Sequence, residues 1–260
     1  MNKILALISS GLLLTGCSSN TKNSLKVAAT PVPHAQMLEF IQPDLKQQGI
    51  DLVIITTDDY NMPNRALAEK EVDANFFQHI PYLDLQIKEF HYPIQNFGKV
   101  EIEPMGIYSK KMKSLSDLKD GAVIAVPNDP SNEARALLLF QSQNLIQLDN
   151  PNNLKATVLN ISQNPKHLKF IEVDAAMVPR SLQDVDAAAI NTNYALQAGL
   201  NPLKDALVLE SKDSPYANII AIRIEEENRP DLQAFKTAMT SEKMREFILK
   251  KYQGAVLPAF

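Results

Sequence analysis

The stretch from Ala122 to Phe140 restricts the fold more than any other: an apolar run leads into a helix that is apolar on every side, yet an arginine sits inside it. Ala122-Val123-Ile124-Ala125-Val126 has no polar face, so it is expected as a strand buried on both sides. Asp129 is a good N-cap, because its side-chain oxygen can accept the free N–H groups of the first turn. Pro130 suits the first helical position, where a missing N–H costs nothing. Ala136 to Phe140 then predicts a buried helix. Arg135 is out of place there, since a cation near a helix start faces the positive end of the macrodipole. Two readings stand open on these residues. Arg135 holds the carboxylate of a ligand, or it pairs with Glu133 or another carboxylate at the surface.

The chain on either side alternates strand and helix. Leu25 to Thr30 reads as a strand stopped by Pro31 and Pro33. Met37, Leu38, Ile41 and Leu45 follow at helical spacing, ended by Gly49. Leu52 to Ile55 is a second strand, Asp58 to Asn64 a loop, and Asp73 to Phe77 a third strand opening onto a helix after Gln78 and His79. This order predicts an α/β layer with a mainly parallel sheet. Phe97 to Tyr108 reads as one longer strand crossing into a second lobe. That lobe takes a helix from Ser114, the Ala122 strand and the Asp129 helix. It also takes strands Thr157–Ile161 and Lys169–Val173, a helix Val178–Gln183 and a strand Ala187–Asn191. Ile219 to Arg223 is the return crossing, and helices over 230–240 and 241–252 pack back on the first lobe. The expected fold is α/β with two lobes, 25–105 with 220–260 and 106–219, and a ligand cleft at the strand ends between them.

The start of the chain is of another kind. Lys3 and the apolar run Ile4–Leu14 have the form of a secretory leader, and Leu14-Thr15-Gly16-Cys17 resembles a bacterial lipobox. This predicts cleavage of residues 1–16, lipidation of Cys17 and a polar tether over 17–24. Cys17 is the single cysteine among 260 residues, so no intramolecular disulfide or cysteine cluster can form. A net charge of −4 supplies no basic field for nucleic acid.

Enzyme signatures are missing. There is no G-x-S-x-G, P-loop, G-x-G-x-x-G or H-E-x-x-H, and nothing singles out a nucleophile, a base or a cofactor. The histidines His34, His79, His91 and His167 lack metal-ligand spacing, so no metal is expected on spacing. Asp117, Asp120, Asp184 and Asp186 lie in polar turns as solvated carboxylates. What remains are polar and aromatic residues at strand ends: Tyr60, Phe76, Phe77, His79, Asn132, Asn191 and Asn218. Phe76 and Phe77 are consecutive, so a strand points them to opposite faces and at least one belongs to the core. Asn191 and Asn218 also suit plain turns.

Six ordered motifs carry a family resemblance: Ala29–Ala35, Asp73–His79, Glu103–Ser109, Val126–Leu138, Ala189–Ala195 and Asp213–Asn218. Together they resemble the methionine-binding lipoproteins of the NlpA/MetQ family, extracytoplasmic receptors of ABC importers, over essentially the whole mature chain. The resemblance implies a two-lobed periplasmic-binding-protein fold, methionine as ligand (the L form, with the D form as a second choice), and no catalysis or cofactor. A permease and, through it, an ATPase are the implied partners. The implied place is the outer face of the cytoplasmic membrane, or the periplasmic side of a two-membrane envelope. It implies that Arg135 binds the ligand carboxylate, that Asn191 and Asn218 hold the carboxylate and ammonium, and that Tyr60, Phe76, Phe77 and His79 line the side-chain pocket, with Asn132 nearby. A methionine-containing dipeptide, or a metal ion held by His34 and His79, are the alternative ligands.

Overall fold

Two mixed sheets organise the chain in the computed structural model, which describes residues 23–260. The leader, Cys17 and most of the tether lie outside the described residues. In chain order the strands are β1 (Asn23–Ala29), β2 (Ile50–Thr56), β3 (Ala74–His79), β4 (Ile94–Ile102), β5 (Gly106–Tyr108), β6 (Val123–Pro127), β7 (Gln147–Leu148), β8 (Ile161–Gln163), β9 (Lys169–Val173), β10 (Ala187–Ile190), β11 (Ala206–Leu209), β12 (Ala217–Arg223) and β13 (Leu257–Pro258). The helices are α1 (Gln36–Gln47), α2 (Met62–Ala68), α3 (Ile80–Phe90), α4 (Pro130–Ser142), α5 (Val178–Ser181), α6 (Thr192–Gln197), α7 (Pro202–Asp205), α8 (Pro230–Met239) and α9 (Glu242–Tyr252).

The first sheet runs β13-β4-β12-β3-β1-β2 and the second β11-β5-β10-β6-β9. Each anchors one lobe, so the fold is the expected two-lobed α/β arrangement. The sheets are mixed rather than mainly parallel. β1 pairs in parallel with β2 and β3, but β12 runs antiparallel to both β3 and β4. In the second sheet β6 is parallel to β9 and β10, whereas β5 is antiparallel to β10 and β11. The antiparallel strands flank the crossings. A chain that leaves one sheet and returns enters opposite to strands laid down by right-handed crossovers.

The expected single strand over 97–108 is two. β4 ends at Ile102 in the first sheet and β5 begins at Gly106 in the second. Gly106 is required there, since an added Cβ would lie 2.6 Å from the Tyr108 ring. Two further expectations fail for local reasons. Thr157–Ile161 is mainly a 3-10 turn over Val158–Asn160, because the Asn160 side chain accepts the Thr157 N–H at 2.9 Å. The helix from Ser114 is one 3-10 turn, closed by a Ser114–Asp117 capping box.

The first lobe has its core between α1, α8, α9 and the sheet, with Leu25, Met37, Ile41, Phe235 and Ile248 buried. The second lobe packs α4 on β6, with Ile124, Val126, Leu137 and Phe140 buried. α4 is buried along nearly its whole length, as the all-round apolar run Ala136–Phe140 requires. No helix among the described residues is long and apolar enough to cross a membrane.

Candidate functional site

A cleft between the sheets is lined from both lobes. From the first come Tyr60, Phe77, Gln78, His79, Tyr82, Glu103 and Asn218; from the second, Asn132, Arg135, Asn191, Thr192 and Asn193. Seven of the eight residues expected at a site lie on this lining. Phe76 does not. It alternates away from Phe77 on β3 and packs in the first-lobe core, edge-on to His34 at 4.5 Å between ring centroids. Gln78, Tyr82, Glu103, Thr192 and Asn193 escape sequence reasoning.

Arg135 sits in the second turn of α4 and is buried. Its Nε donates to Glu210 Oε1 and Oε2 at 3.1 Å, and its Nη2 donates to Glu210 Oε2 at 2.5 Å and to the Glu103 carbonyl at 2.7 Å. Tyr216 lies flat against the guanidinium, 4.4 Å from ring centroid to Cζ. Desolvation opposes the charge, but Glu210 and the neighbouring Tyr216 and Glu103 outweigh it and hold Arg135 firmly protonated. Neither open reading survives unchanged. The ion pair exists, but its partner is Glu210 and it lies at a buried site. Glu133 instead accepts the Val158 N–H at 2.8 Å, and its carboxyl is pushed up to about 7 by desolvation and by Glu172. Arg135 Nη1 has no hydrogen-bond partner among the described residues, so one edge of the fork is left to the cleft.

Asn132 bridges the lobes. Its amide nitrogen donates to both Asp129 oxygens at 2.9 Å. Its Oδ1 faces His79 Nε2 at 3.1 Å and accepts the Asn191 Nδ2–H at 2.7 Å. His79 caps α3, its Nδ1 accepting the Tyr82 N–H at 3.2 Å, so Nε2 carries the proton that goes to Asn132. Desolvation and then Arg135 drive His79 down to about 3, so the ring is neutral. Asn132 therefore positions its neighbours and has both amide ends engaged.

The apolar end of the cleft is a ring of aromatics. Tyr60 stands 5.8 Å from Phe77, 5.9 Å from Tyr82 and 5.0 Å from Tyr194 between centroids. Tyr60 Oη donates across the cleft to Asn193 Oδ1 at 2.7 Å, and Tyr194 Oη donates to the Asp58 carbonyl at 2.8 Å. These bonds, with His79–Asn132, fasten the lobes together.

Under the polar end lies a buried cluster. His34 Nε2 is 3.2 Å from one oxygen each of Glu101 and Glu103, and its Nδ1 is 2.6 Å from Thr30 Oγ1. Asn218 Nδ2 donates to Glu101 Oε1 at 2.7 Å and Glu103 Oε1 at 3.0 Å, and lies 3.2 Å from His34 Nε2. Desolvation raises Glu101 to about 7, and desolvation together with the neighbouring Glu101 raises Glu103 to about 8. Burial lowers His34, against the pull of Glu103, so it too is neutral. The Asn218 amide occupies the point a metal would need among the three side chains. His79 belongs to a different network, so His34 and His79 do not form the pair that a metal receptor would use.

Two polar groups in the cleft want partners. Asn191 Oδ1 and Asn193 Nδ2 are buried without a hydrogen bond among the described residues. With Arg135, the lining offers both donors and acceptors to a ligand.

The sequence model of the NlpA lipoprotein family matches residues 25–260. The methionine-binding lipoprotein MetQ of Bacillus subtilis (strain 168) is 45% identical, covering 95% of this chain and 93% of that protein. The D-methionine-binding lipoprotein MetQ of Escherichia coli (strain K12) is 42% identical, covering 97% and 94%. Among solved structures, a nutrient-binding protein from Burkholderia cenocepacia bound to methionine superposes with a TM-score of 0.88 at 48% identity, covering 91% of this chain and all of that one. The chain belongs to the NlpA lipoprotein family.

Proposed function

We propose that this protein is the lipid-anchored, extracytoplasmic substrate-binding component of an ABC importer, and that it carries methionine in the cleft between its lobes. The observation that carries the reading is the set of unpaired buried amide atoms beside Arg135, which suits a ligand with one anionic and one cationic end. Arg135 takes the carboxylate through its free edge, and Asn191 and Asn218 orient the head group. A zwitterion is costly to desolvate unless its donors and acceptors are all met, and this arrangement meets them. Phe77, Tyr60 and Tyr82 surround the thioether, where sulfur–ring contacts contribute about 0.3–1.5 kcal/mol each.

The L form is the proposed ligand, with the D form as competitor; relatives carry names of both kinds. Closure of the two lobes buries the ligand and presents one joined surface to a permease, which an ATPase drives. Cys17 supplies the anchor. Mass spectrometry of the small molecule that co-purifies with the protein tests the reading, followed by calorimetric titration with L- and D-methionine. Recovery of methionine supports it; an empty protein that gives no heat with either form sinks it.

A further inference from the structure

The buried acids under the cleft have no task in the reading above. Glu101 and Glu103 stand at the end of β4, completely or almost completely buried, and among the described residues no arginine or lysine pairs with their carboxyl oxygens, so the nearby Arg135 charge only partly offsets their burial. Arg135 touches Glu103 only through its carbonyl and is already balanced by Glu210. The other groups around them are the neutral His34 from the turn before α1, the Asn218 amide on β12, and the hydroxyls of Tyr60 and Tyr252. The Tyr252 hydroxyl is turned to the Pro33 carbonyl and Gln36 Oε1, so it supplies no charge. Two carboxyls whose oxygens meet at the same His34 nitrogen and the same Asn218 amide hold a proton between them near neutral pH, because neighbouring like charges resist ionising together. Glu103 and Asn218 line the cleft, and Glu101 Oε2 is buried without a hydrogen-bond partner among the described residues.

We propose that the Glu101–Glu103 pair selects ligands by their free ammonium group and gives up its shared proton to solvent when that group arrives. The inference rests on methionine being the ligand. The ammonium keeps its three protons, Glu103 passes from carboxylic acid to carboxylate, and the proton leaves to bulk water before the lobes close. A cation within about 4–6 Å favours the ionised carboxylate, so the pair holds its proton less tightly once the ligand is bound. An amide nitrogen brings no such charge, so N-acetylmethionine is rejected although its carboxylate and side chain are intact.

The test is calorimetric titration of the full chain in detergent with L-methionine, at one pH in buffers of different ionisation enthalpy, repeated from pH 6 to 8.5. At pH 6.5 the heats should show about 0.5–1 proton released per methionine, with affinity rising about three- to tenfold from pH 6 to 7. Release should fade towards pH 8.5, where the pair is already ionised. Glu103→Gln should abolish the release and flatten the slope, and N-acetylmethionine should bind at least about a hundredfold more weakly. Methionine binding with no proton exchange across this range overturns the proposal, as does release that persists in Glu103→Gln. The parent-protein buffer series stands even where the variant fails to fold. Absence of any methionine heat overturns the functional reading instead, and this one with it.

Discussion

Glu210 grips the Nε–Nη2 edge of Arg135, which lines the cleft, and leaves Nη1 without a hydrogen-bond partner among the described residues. The guanidinium is thus neutralised and aimed by one carboxylate so that it can meet another. This explains how a cation survives near a helix start, inside an apolar run. Its counter-ion comes from the segment after β11, which the fold brings alongside.

Arg135→Ala should cost methionine affinity at least about a hundredfold. It should also destabilise the ligand-free protein by about 3 kcal/mol, because Glu210 is left largely buried and unpaired. Arg135→Ala with Glu210→Gln should recover much of that stability and none of the binding. Urea unfolding read against calorimetry separates the two effects. Asp120→Ala, on an exposed turn, should change neither.

Side-chain selection is set by the aromatic ring, so norleucine should compete with methionine at about 2- to 13-fold lower affinity, the value of a sulfur–ring contact. Glutamate should not compete at all, since its second carboxylate would enter the aromatic end without a donor. Competition titrations decide this.

Tyr60→Phe removes the hydrogen bond to Asn193 across the cleft and leaves Asn193 with both amide ends unpaired. Methionine should bind about fivefold more weakly, equivalent to about 1 kcal/mol. The ligand-free protein should show a larger radius of gyration in solution scattering. An unchanged radius with unchanged affinity would mean that this bond does not hold the lobes.

Ligand-free stability should fall between pH 6.5 and 8. Glu101 and Glu103, raised to about 7 and about 8, bind protons more tightly folded than unfolded, so their contribution is present at low pH and lost as pH rises through those values. Glu133, at about 7, adds to the same trend. His34 and His79 act oppositely, because both are lowered, but their effect ends near pH 6.5. Urea unfolding should show a decline on the order of 1–2 kcal/mol across the window. Glu101→Gln with Glu103→Gln should flatten most of it.

The parts of the fold readable in the sequence are those governed by local pattern. Leu25–Thr30, the helix ended by Gly49 and the two C-terminal helices lie within a few residues of their expected bounds, because apolar periodicity and caps act over short range. Thr157–Ile161 misled because β-branched residues favour a strand until Asn160 folds back on Thr157; Leu159 is left 91% exposed. Arg135, Asn191 and Asn218 stood out as polar residues abutting apolar runs. Glu210 gave no such signal, since an acid in a polar loop 75 residues from Arg135 looks solvated until the sheet closes. Glu103 lay in a motif read only as a family signature, and its burial depends on the crossing from β4 to β5.

One consequence concerns the register of β12. Asn218 stands opposite His79 on one side and Glu101 on the other, with an irregularity in each pairing just beyond it. Because strand neighbours alternate faces, a slip of a single residue would turn the Asn218 amide away from the acids and put Ala217 or Ile219 in its place. Correct folding of the buried central strand and competence to recognise a ligand are therefore one event. A newly exported chain that captures its cargo has, by doing so, proofread its own topology.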